Sequence, residues 1–577
     1  MTTTTITPQK ERRTLKSFFP IVEWLPKYQA SWLRFDVIAS LTVWALVVPE
    51  AMAYAGIAGM PPEAGLYAAP LALIGYAIFG TSKHLNVGPS STVAALSFSV
   101  VVGLAAAGSD EFISLTIMLA ILVGILLIIG GLLRAGVLAD FFSKPVLDGF
   151  IVGVAITIVV GQLDKLLGYE VEGADFVPEI LLLASDIAMT HWPTLVVGLV
   201  SLALLFLIER FIPKLPGAIT VLFLAIIASA LLGFEDMGIH IVGEIPAGLP
   251  QFGLPDVTTD QILALFPGAA AIALVAFAES VATARSYASK FNYKVNADQE
   301  LIALGASNAG AGISQGFVVD GSLSKTSASV EAGAKSQMVS IIAAIIILIT
   351  IVALTPLFYA LPEATLGAIV IHAVWHLVNF RKLSQYRKVT SLDFWTAVIA
   401  MIGVLALGIL QGLIIAVFIG LLALIIGTKT RATSVLGRVP EDNTFRGLEN
   451  YPEGETYPGL LILRYDGSLF FANAPDFADE VRTGVEFSDP PPKVMLIDGE
   501  SINGIDATAI NTIIELNDEL TRKEISLRFA RVRANVMEIM QRAGLEEIIG
   551  TENFYTSVHE AVDAFLAEKP EDIQDKE

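Results

Sequence analysis

The sequence contains no cysteine, which excludes disulfide bonds, thiolate metal sites and cysteine nucleophiles. It also lacks the paired histidines of an HExxH metal site and the glycine-rich loop, ending in Gly-Lys-Ser/Thr, that holds nucleotide phosphates. The six histidines are scattered, and no nucleophile is matched with a base. We therefore predict that the chain is not an enzyme and needs no cofactor. Without an ATP-binding site, any transport by this chain should be driven by ion gradients.

Charged residues are also scarce. They make up 16% of the 577 residues, whereas 54% are hydrophobic. The mean hydropathy of +0.67 is far above that of soluble domains. The net charge of −21 argues against a nucleic-acid partner and is carried heavily by the C-terminal part. The chain is therefore predicted to be a membrane protein that is surrounded by the lipid bilayer.

Long apolar runs recur between Asp36 and Thr428. Runs of about 17 to 25 residues have the length that an α-helix needs to cross about 30 Å of hydrocarbon. We predict fourteen transmembrane segments, with the bounds 36–57, 65–80, 88–107, 112–133, 144–163, 193–212, 216–233, 263–284, 296–313, 322–334, 338–356, 361–379, 392–409 and 411–428.

The basic residues test this count, because Lys and Arg collect in the cytoplasmic loops of membrane proteins. Every second predicted loop contains them, and the longest of the other loops, 234–262, has five acidic residues and no base. No short apolar run with a cleavage site precedes Asp36, so no cleaved signal peptide is predicted. Both termini are therefore predicted to be cytoplasmic. The bases of the even-numbered loops are Lys83, Arg134, Lys144, Arg210, Lys214, Arg285, Lys290, Lys294, Lys335, Arg381, Lys382, Arg387 and Lys388.

The amino-acid composition changes after the last span, where charged residues, Pro and Gly become frequent and short apolar runs replace long ones. Strands interleaved with helices predict a small α/β layer domain there. Its strands are predicted at 460–463, 469–472, 494–498 and 525–529. The predicted organisation is a cytoplasmic arm (1–35), a transmembrane transporter domain (36–428), a linker (429–440), the α/β domain (441–567) and a disordered tail (568–577).

The third and tenth spans, seven apart, are abnormal. Residues 85–92 and 317–326 each contain a short extended run, then a glycine and then hydroxyl side chains before a short helix. Extended backbone at membrane depth is tolerated only where it is buried in protein or lines a cavity. Matched interruptions in two halves of a transporter are the best sequence indication of its binding site. The alternative is that Gly-Pro and Gly-Ser are turns between ordinary spans, but the matched pair favours an inverted repeat.

The N-termini of these two short helices should present unpaired N–H groups and a partial positive charge, with hydroxyl groups as added donors. That combination favours an anion. A lysine in the second segment strengthens this prediction, although a lysine near a helix end can also extend to the lipid headgroups. The predicted substrate ligands of the two segments are Gly88, Ser90, Ser91, Thr92, Ser322, Leu323, Ser324 and Lys325.

Carboxylates within spans are costly enough to be functional by default. Glu279 and Thr283 lie four residues apart on one helical face. They offer a carboxylate and a hydroxyl to a Na⁺ ion, or a carboxyl group that takes up a proton. The alternative is a structural ion pair of Glu279 with Lys325 or Arg285.

Glu50 follows Pro49 in the first span, where the proline frees a carbonyl group and kinks the helix. Glu50 and Tyr54, one turn later, are predicted to line the site. The alternative for Glu50 is a bond to a lipid headgroup or to another helix. Glu331 lies near the cytoplasmic end of its span and is predicted to be solvated.

These residues resemble the SulP family of sulfate permeases and related anion transporters, over nearly the whole chain. The resemblance implies a fold of seven plus seven helices in an inverted repeat, with core and gate domains, an elevator-like motion and a homodimer. It also implies a substrate site between the third and tenth helices. The motifs that carry it are Phe19-Pro20, Trp24-Leu25-Pro26-Lys27-Tyr28, Asp36, the run from Pro49 to Ala55, Gly88-Pro89-Ser90, Glu279-Ser280, Ala284-Arg285-Ser286 and the run from Gly321 to Lys325.

The resemblance also assigns roles to single residues. Glu279 matches the position at which coupled members keep an acidic residue, which implies a role in cation or proton coupling. Glu50 stands where members usually have glutamine, and this adds an ionisable group beside the site. Lys325 stands where many members have arginine. A lysine cannot hold an oxyanion with a bidentate fork, so sulfate should be bound in a different arrangement.

The C-terminal region resembles a STAS domain. Asp506-Ala507-Thr508-Ala509 matches the loop in which bacterial anti-sigma antagonists carry a phosphorylated serine, and Ala507 takes the place of that serine. Phosphorylation of that kind is therefore not expected. Asp506 and Thr508 are the candidates for a regulatory contact, within a domain whose expected role is assembly and regulation.

We predict a secondary active transporter of small inorganic anions, with sulfate first, coupled to H⁺ or Na⁺ and located in the inner membrane. Bicarbonate and dicarboxylates stay open as substrates, since helix N-termini and hydroxyls recognise charge and size. The alternatives are a sodium-bicarbonate or dicarboxylate symporter, an uncoupled anion channel or exchanger, and a nucleobase transporter. The Glu279 carboxylate argues against an uncoupled protein. A STAS domain and Ser, Thr and Lys at the half-helices argue against a nucleobase transporter.

Overall fold

The computed structural model describes residues 18–137, 143–169, 176–213, 215–427, 433–441 and 443–568. It divides into two compact units, Met1–Leu421 and Leu422–Glu577. Residues 1–17 of the predicted N-terminal arm and residues 569–577 of the predicted tail lie outside the described residues.

The first unit is helical apart from two very short strands, β1 (Asn86–Gly88) and β2 (Asp320–Ser322). Its α-helices, with the last continuing past residue 421, are α1 (Ile21–Trp24), α2 (Leu33–Ile57), α3 (Pro62–Phe79), α4 (Ser91–Val101), α5 (Asp110–Leu132), α6 (Lys144–Val160), α7 (Leu163–Leu167), α8 (Phe176–Ser185), α9 (Trp192–Phe211), α10 (Gly217–Leu232), α11 (Thr259–Lys290), α12 (Ala297–Ile313), α13 (Leu323–Glu331), α14 (Met338–Ile349), α15 (Glu363–Trp375), α16 (Phe380–Val389), α17 (Ser391–Leu407) and α18 (Ile409–Gly427).

Each of the fourteen predicted spans coincides with one of these helices. Within the described residues, eight helices are long and apolar enough to cross a membrane, namely α2, α3, α5, α6, α9, α11, α14 and α15 with the turns that continue some of them. The third and tenth spans differ as expected, because α4 and α13 have only 11 and 9 residues. Four helices were not predicted: α1 forms in the predicted N-terminal arm, and α7, α8 and α16 form in segments that were assigned to loops, apart from Leu163 at the start of α7.

The helices of this unit form two groups in which elements from the two halves of the chain pack together. In one group, α12 from the second half packs against α3 and α5 from the first, and α14 packs against α2 and α3. In the other group, α17 packs against α6, and α15 packs against α9 and α10. The two halves of the chain are therefore intertwined in both groups.

The contact between α5 and α12 depends on small residues, as is common where membrane helices pack closely. A Cβ atom added to Gly124 would lie 2.6 Å from the backbone nitrogen of Ala309, and one added to Gly305 would lie 2.7 Å from the carbonyl oxygen of Gly124. The two backbones therefore approach too closely for any side chain between them.

Replacing Gly124 with alanine should destabilise the protein by roughly 1 to 3 kcal/mol, because the added methyl group meets backbone that cannot move aside. Gly130 on the same helix is the matched control, since its added Cβ would meet only side chains at 3.8 Å or more. Melting of the purified variants in detergent measures the difference. Equal melting temperatures for the Gly124→Ala and Gly130→Ala variants would contradict the close packing of α5 on α12.

Two buried carboxylates that were not predicted to be site residues are structural. Glu300 accepts hydrogen bonds from the Tyr76 hydroxyl at 2.5 Å and from the Thr81 backbone nitrogen and hydroxyl at 2.7 and 2.6 Å. Asp36 accepts from the Lys335 backbone nitrogen at 2.7 Å and from the Ser336 hydroxyl at 2.8 Å. Both carboxylates tie distant helix ends together, which explains their burial.

Two histidines that looked scattered in the sequence come together. His372 and His376 lie one turn apart, on α15 and just past its end, and each contacts one carboxylate oxygen of Glu209 on α9 at 3.0 Å. They join α9 to α15 within the second helix group.

The second unit contains a six-stranded sheet in the order β4-β3-β5-β6-β7-β8. β3 pairs antiparallel with β4 and β5, and the strands from β5 to β8 are parallel. Apolar clusters cover both faces, one including Phe477 and Phe529 and the other Leu496 and Phe565. The α/β layer fold is thereby confirmed. Its elements are β3 (Thr433–Val439), β4 (Thr444–Gly447), β5 (Leu460–Tyr465), α19 (Ala474–Glu486), β6 (Val494–Asp498), α20 (Ala507–Arg522), β7 (Ser526–Ala530), α21 (Ala534–Arg542), α22 (Leu545–Ile549), β8 (Phe554–Tyr555) and α23 (Val558–Ala567).

Three details of the prediction for this region were wrong. Residues 433–439, assigned to the linker, form β3 and lie within the sheet because they pair with both β4 and β5. Residues 469–472 do not form a strand, since only Leu469 makes a single bridge, to Ile505. Glu568, assigned to the disordered tail, pairs with Arg528 at 2.6 Å.

Candidate substrate site between two interrupted helices

The two interrupted segments meet through their extended runs. β1 and β2 pair antiparallel, with Asn86 opposite Ser322 and Gly88 opposite Asp320. Helix α13 starts directly after β2, and α4 starts three residues after β1. The two helices therefore begin from opposite ends of the strand pair, with both N-termini next to it. The Gly-Pro and Gly-Ser sequences are not simple turns between spans.

The N-terminus of α4 is buried and lacks a side-chain cap. Ser90 occupies the capping position with extended backbone, but its hydroxyl does not accept a helix N–H group. Ser91 and Thr92 in the first turn are buried. A methyl group on Gly88 would meet nothing within 4 Å, so this glycine borders open space. The first N–H groups of α4 are thus left for a ligand to accept from.

The N-terminus of α13 is more open. The Ser322 hydroxyl accepts from the Lys325 backbone nitrogen at 3.4 Å and lies 3.0 Å from the Ser324 hydroxyl. Leu323 and Ser324 are exposed. The Thr326 hydroxyl holds the segment together, because it donates to the Ser322 carbonyl and accepts from the Asn86 backbone nitrogen.

Lys325 connects the two segments with the first span. Its side chain is 2% exposed, and its Nζ donates to the carbonyl oxygen of Pro89 at 2.7 Å. The same Nζ lies 3.0 Å from a carboxylate oxygen of Glu50 and 5.4 Å from the centre of the Tyr54 ring. Lys325 therefore does not extend to the headgroups, and Glu50 bonds to another helix rather than to lipid. Lys325 pairs with Glu50 and not with Glu279, the partner of the alternative hypothesis.

A second cluster lies where α11 is attached to β2, and it consists of Glu279, Ser280 and Thr283 of α11 with Asp320 of β2. It is called the cluster behind β2. The Ser280 hydroxyl on α11 donates to the Ala276 carbonyl and accepts from the Gly321 backbone nitrogen at 2.8 Å, which attaches α11 to β2. Glu279 is its neighbour in sequence, and its carboxyl group lies within hydrogen-bonding reach of the carboxyl group of Asp320. Thr283 is buried one turn further along α11. Glu331, by contrast, is exposed as predicted and bonds to Ser327.

Asp320 was missed by the sequence analysis as a site residue. It is 1% exposed, and it lies near Ser90, Lys325 and Glu279. The sequence could have indicated Asp320, because an aspartate stands between two valines and a glycine in the extended run before the short helix α13, and a charged residue at membrane depth is usually functional.

Residues 33–400 match the model of the sulfate permease family, and residues 451–561 match that of the STAS domain. The chain belongs to the sulfate permease family. It is 37% identical over 93% of its length, and 96% of the relative's, to a probable sulfate transporter of Mycobacterium tuberculosis. It is 32% identical to the chloroplastic sulfate transporter 4.1 of Arabidopsis thaliana, over 96% of this chain and 83% of that one. This sulfate permease family member is thus a membrane transporter and not an enzyme.

Solved structures show the same fold. The chain matches the murine anion transporter Slc26a9, a member of solute carrier family 26, in its inward-facing state with a TM-score of 0.90 at 23% identity, covering 98% of this chain and 97% of that one. It matches the transmembrane domain of a cyanobacterial bicarbonate transporter with a TM-score of 0.60 at 24% identity, covering 67% of this chain and 98% of that one. The protein is therefore a multi-pass membrane protein with this transporter fold and a C-terminal STAS domain.

The STAS residues that were predicted to be regulatory have clear positions. Asp506 caps α20, because its carboxylate accepts from the Ala509 backbone nitrogen at 2.8 Å and from the Phe471 backbone nitrogen at 2.9 Å. Thr508 lies exposed in the first turn of α20. Asp506 thus has a structural function, and Thr508 is the accessible residue of the two.

Proposed function

We propose that this sulfate permease family member is a secondary active transporter of small inorganic anions, with sulfate as its main substrate, coupled to H⁺ or Na⁺ through Glu279. The observation that carries the proposal is the buried amino group of Lys325, which lies at the paired starts of the two interrupted helices. Gradient-driven transport fits a chain in which no ATP-binding glycine loop occurs.

The case for an anion rests on three kinds of donor at one place. The uncapped N-terminus of α4 offers N–H groups and the positive end of a helix dipole. Hydroxyl groups of Ser322 and Ser324 lie at the start of α13, where the neighbouring residues are exposed. Lys325 supplies positive charge, of which Glu50 neutralises a part. We propose that Tyr54, Gly88, Ser90, Ser91, Thr92 and Leu323 complete the site.

Sulfate is favoured because the relatives in Mycobacterium tuberculosis and Arabidopsis thaliana carry that name and match nearly the whole chain. Bicarbonate and dicarboxylates stay as alternatives, since the donors recognise charge and size. The STAS domain disfavours a nucleobase transporter.

Coupling is assigned to Glu279 with Thr283, both on α11. A buried carboxyl group is the kind of site that binds a cation or a proton, and an uncoupled channel or exchanger has no need of one.

We further propose an elevator-like movement of one helix group against the other, a homodimer, and an inner-membrane location with cytoplasmic termini. We also propose a regulatory contact of the STAS domain at Asp506 and Thr508.

Uptake of labelled sulfate into proteoliposomes tests this proposal. We expect accumulation that follows either an imposed pH gradient or an imposed Na⁺ gradient. Unlabelled bicarbonate and dicarboxylates serve as competitors. Strong inhibition by one of them with little sulfate uptake would overturn the substrate but keep the site. Flux that never exceeds equilibrium under any gradient would favour the uncoupled alternative.

A further inference from the structure

Four buried polar atoms at the cluster behind β2 lack a well-formed hydrogen bond. Within the described residues, both carboxylate oxygens of Asp320, Oε1 of Glu279 and the Ser90 hydroxyl are buried and make no hydrogen bond of ordinary geometry, although the Ser90 hydroxyl, like Glu279, lies within reach of Asp320. Buried polar groups are nearly always satisfied, and each exception needs an explanation such as a bound ion or proton. These four atoms come from three different elements and lie at one place.

The arrangement of the two carboxyl groups favours a proton over a metal ion as the missing partner. Glu279 and Asp320 lie within hydrogen-bonding reach of each other, and two carboxyl groups can form that bond only when one of them carries a proton. A cation would instead hold the oxygens apart around itself. Two adjacent carboxylates in a buried site cannot both be ionised, as in the shared-proton pairs of aspartic proteases.

The neighbouring charges do not remove the need for that proton. The groups that face the pair are Lys325 on α13, and Glu50 and Tyr54 on α2, while α4 contributes the uncharged hydroxyl of Ser90. Lys325 is already paired with Glu50 at 3.0 Å. One positive charge therefore faces three carboxyl groups. A proton held between Glu279 and Asp320 reduces the excess of negative charge.

We propose that Asp320 and Glu279 together form the proton-binding site of the transporter, and that the proton held between their carboxyl oxygens is the coupled ion. The proton enters from the aqueous phase with the anion and leaves with it on the other side, and no other bond is made or broken. This inference rests on the proposed function, because it names the coupling ion and adds the second residue that binds it.

Asp320→Asn is the decisive variant. The asparagine amide can donate to the Glu279 carboxylate, which then needs no proton, so proton coupling should disappear while the anion ligands stay in place. Full-length protein in proteoliposomes is assayed for exchange of labelled sulfate and for proton entry during sulfate uptake, using a trapped pH dye. We expect exchange within about threefold of wild type and sulfate-dependent proton entry at least about tenfold lower, since linkage requires the proton-binding group.

Calorimetry provides a second readout that does not depend on transport. Sulfate binding to the purified protein is measured in buffers of different ionisation enthalpy, at a pH alkaline enough to remove the shared proton from the sulfate-free protein. It should take up about one proton per sulfate in wild type and much less in Asp320→Asn. Glu300→Gln is the control, since that buried carboxylate is fully bonded by Tyr76 and Thr81. It should keep the proton uptake of wild type, and Asp320→Glu should restore it in part.

The outcomes separate the two proposals. Sulfate exchange with unchanged proton coupling in Asp320→Asn overturns the proton pair and leaves the transport function intact. Sulfate binding by wild type that requires Na⁺ and takes up no proton also overturns it. Absence of sulfate exchange in wild type overturns the proposed function and this inference with it.

Discussion

Lys325→Gln should reduce sulfate uptake by at least about 100-fold. Removing a buried charged group that contacts the bound partner costs about 2 to 5 kcal/mol of binding free energy, and each 1.4 kcal/mol is a factor of ten in an equilibrium. The change also removes the positive charge at the start of α13 and the hydrogen bond from Nζ to the Pro89 carbonyl. Initial rates of labelled uptake in proteoliposomes measure the effect.

Two further variants separate binding from folding in this experiment. Lys325→Arg keeps the positive charge and offers donors to the Pro89 carbonyl and to Glu50, so it should retain more activity than Lys325→Gln. The double variant Lys325→Gln with Glu50→Gln removes the unpaired buried charge, so its melting temperature should recover while its sulfate uptake should not. Recovery of uptake in the double variant would show that Lys325 serves only to neutralise Glu50.

Glu279→Gln should abolish accumulation against a gradient while leaving exchange of sulfate for sulfate in place. The amide cannot bind a proton or hold a cation as a carboxylate does, whereas the hydroxyls and Lys325 of the candidate anion site are untouched. Steady-state accumulation under an imposed gradient, compared with exchange at equilibrium, measures the difference.

Glu331→Gln is the matched control for this variant, because Glu331 lies exposed near the end of α13 and bonds only to the nearby Ser327 among the contacts seen here. It should accumulate sulfate as wild type does. Uphill accumulation by Glu279→Gln, with the same dependence on the driving ion, would remove Glu279 from the coupling mechanism.

The membrane fold was largely predictable because its signals are local. Apolar length, the alternation of basic loops and the glycine with hydroxyl pattern at 85–92 and 317–326 each depend on neighbouring residues alone. The short helices α4 and α13 followed from that pattern. What the pattern could not give is the antiparallel pairing of β1 with β2, since it joins Val87 to Gly321, which are far apart in the sequence.

The partners within the site could not be predicted for the same reason. The sequence suggested an ion pair of Glu279 with Lys325 or Arg285 as an alternative, whereas Lys325 is paired with Glu50 on the first span. Asp320 is distant from Glu279 in sequence, and only the attachment of α11 to β2 through Ser280 brings their carboxyl groups together. Single charges were visible in the sequence, but their pairing is a property of the fold.

The errors in the STAS domain have a local cause. The run Leu-Phe-Phe-Ala at 469–472 has the composition of a strand. Its backbone is instead satisfied by side chains, because Asn473 accepts from the Phe470 nitrogen at 2.8 Å and Asp506 accepts from the Phe471 nitrogen at 2.9 Å. Competition from Asx side chains is a known alternative to a sheet ladder.

The natural absence of cysteine allows the most direct test of the anion site. A single cysteine at Ser324 would lie exposed at the start of α13, and its reaction with a charged thiol reagent can be followed with and without sulfate. If the anion binds there, sulfate at ten times its dissociation constant should slow the reaction about tenfold. A single cysteine at exposed Ser185 on α8 should react at an unchanged rate. A Ser324→Cys protein that still transports sulfate but gains no protection from it would contradict an anion site between the two interrupted helices.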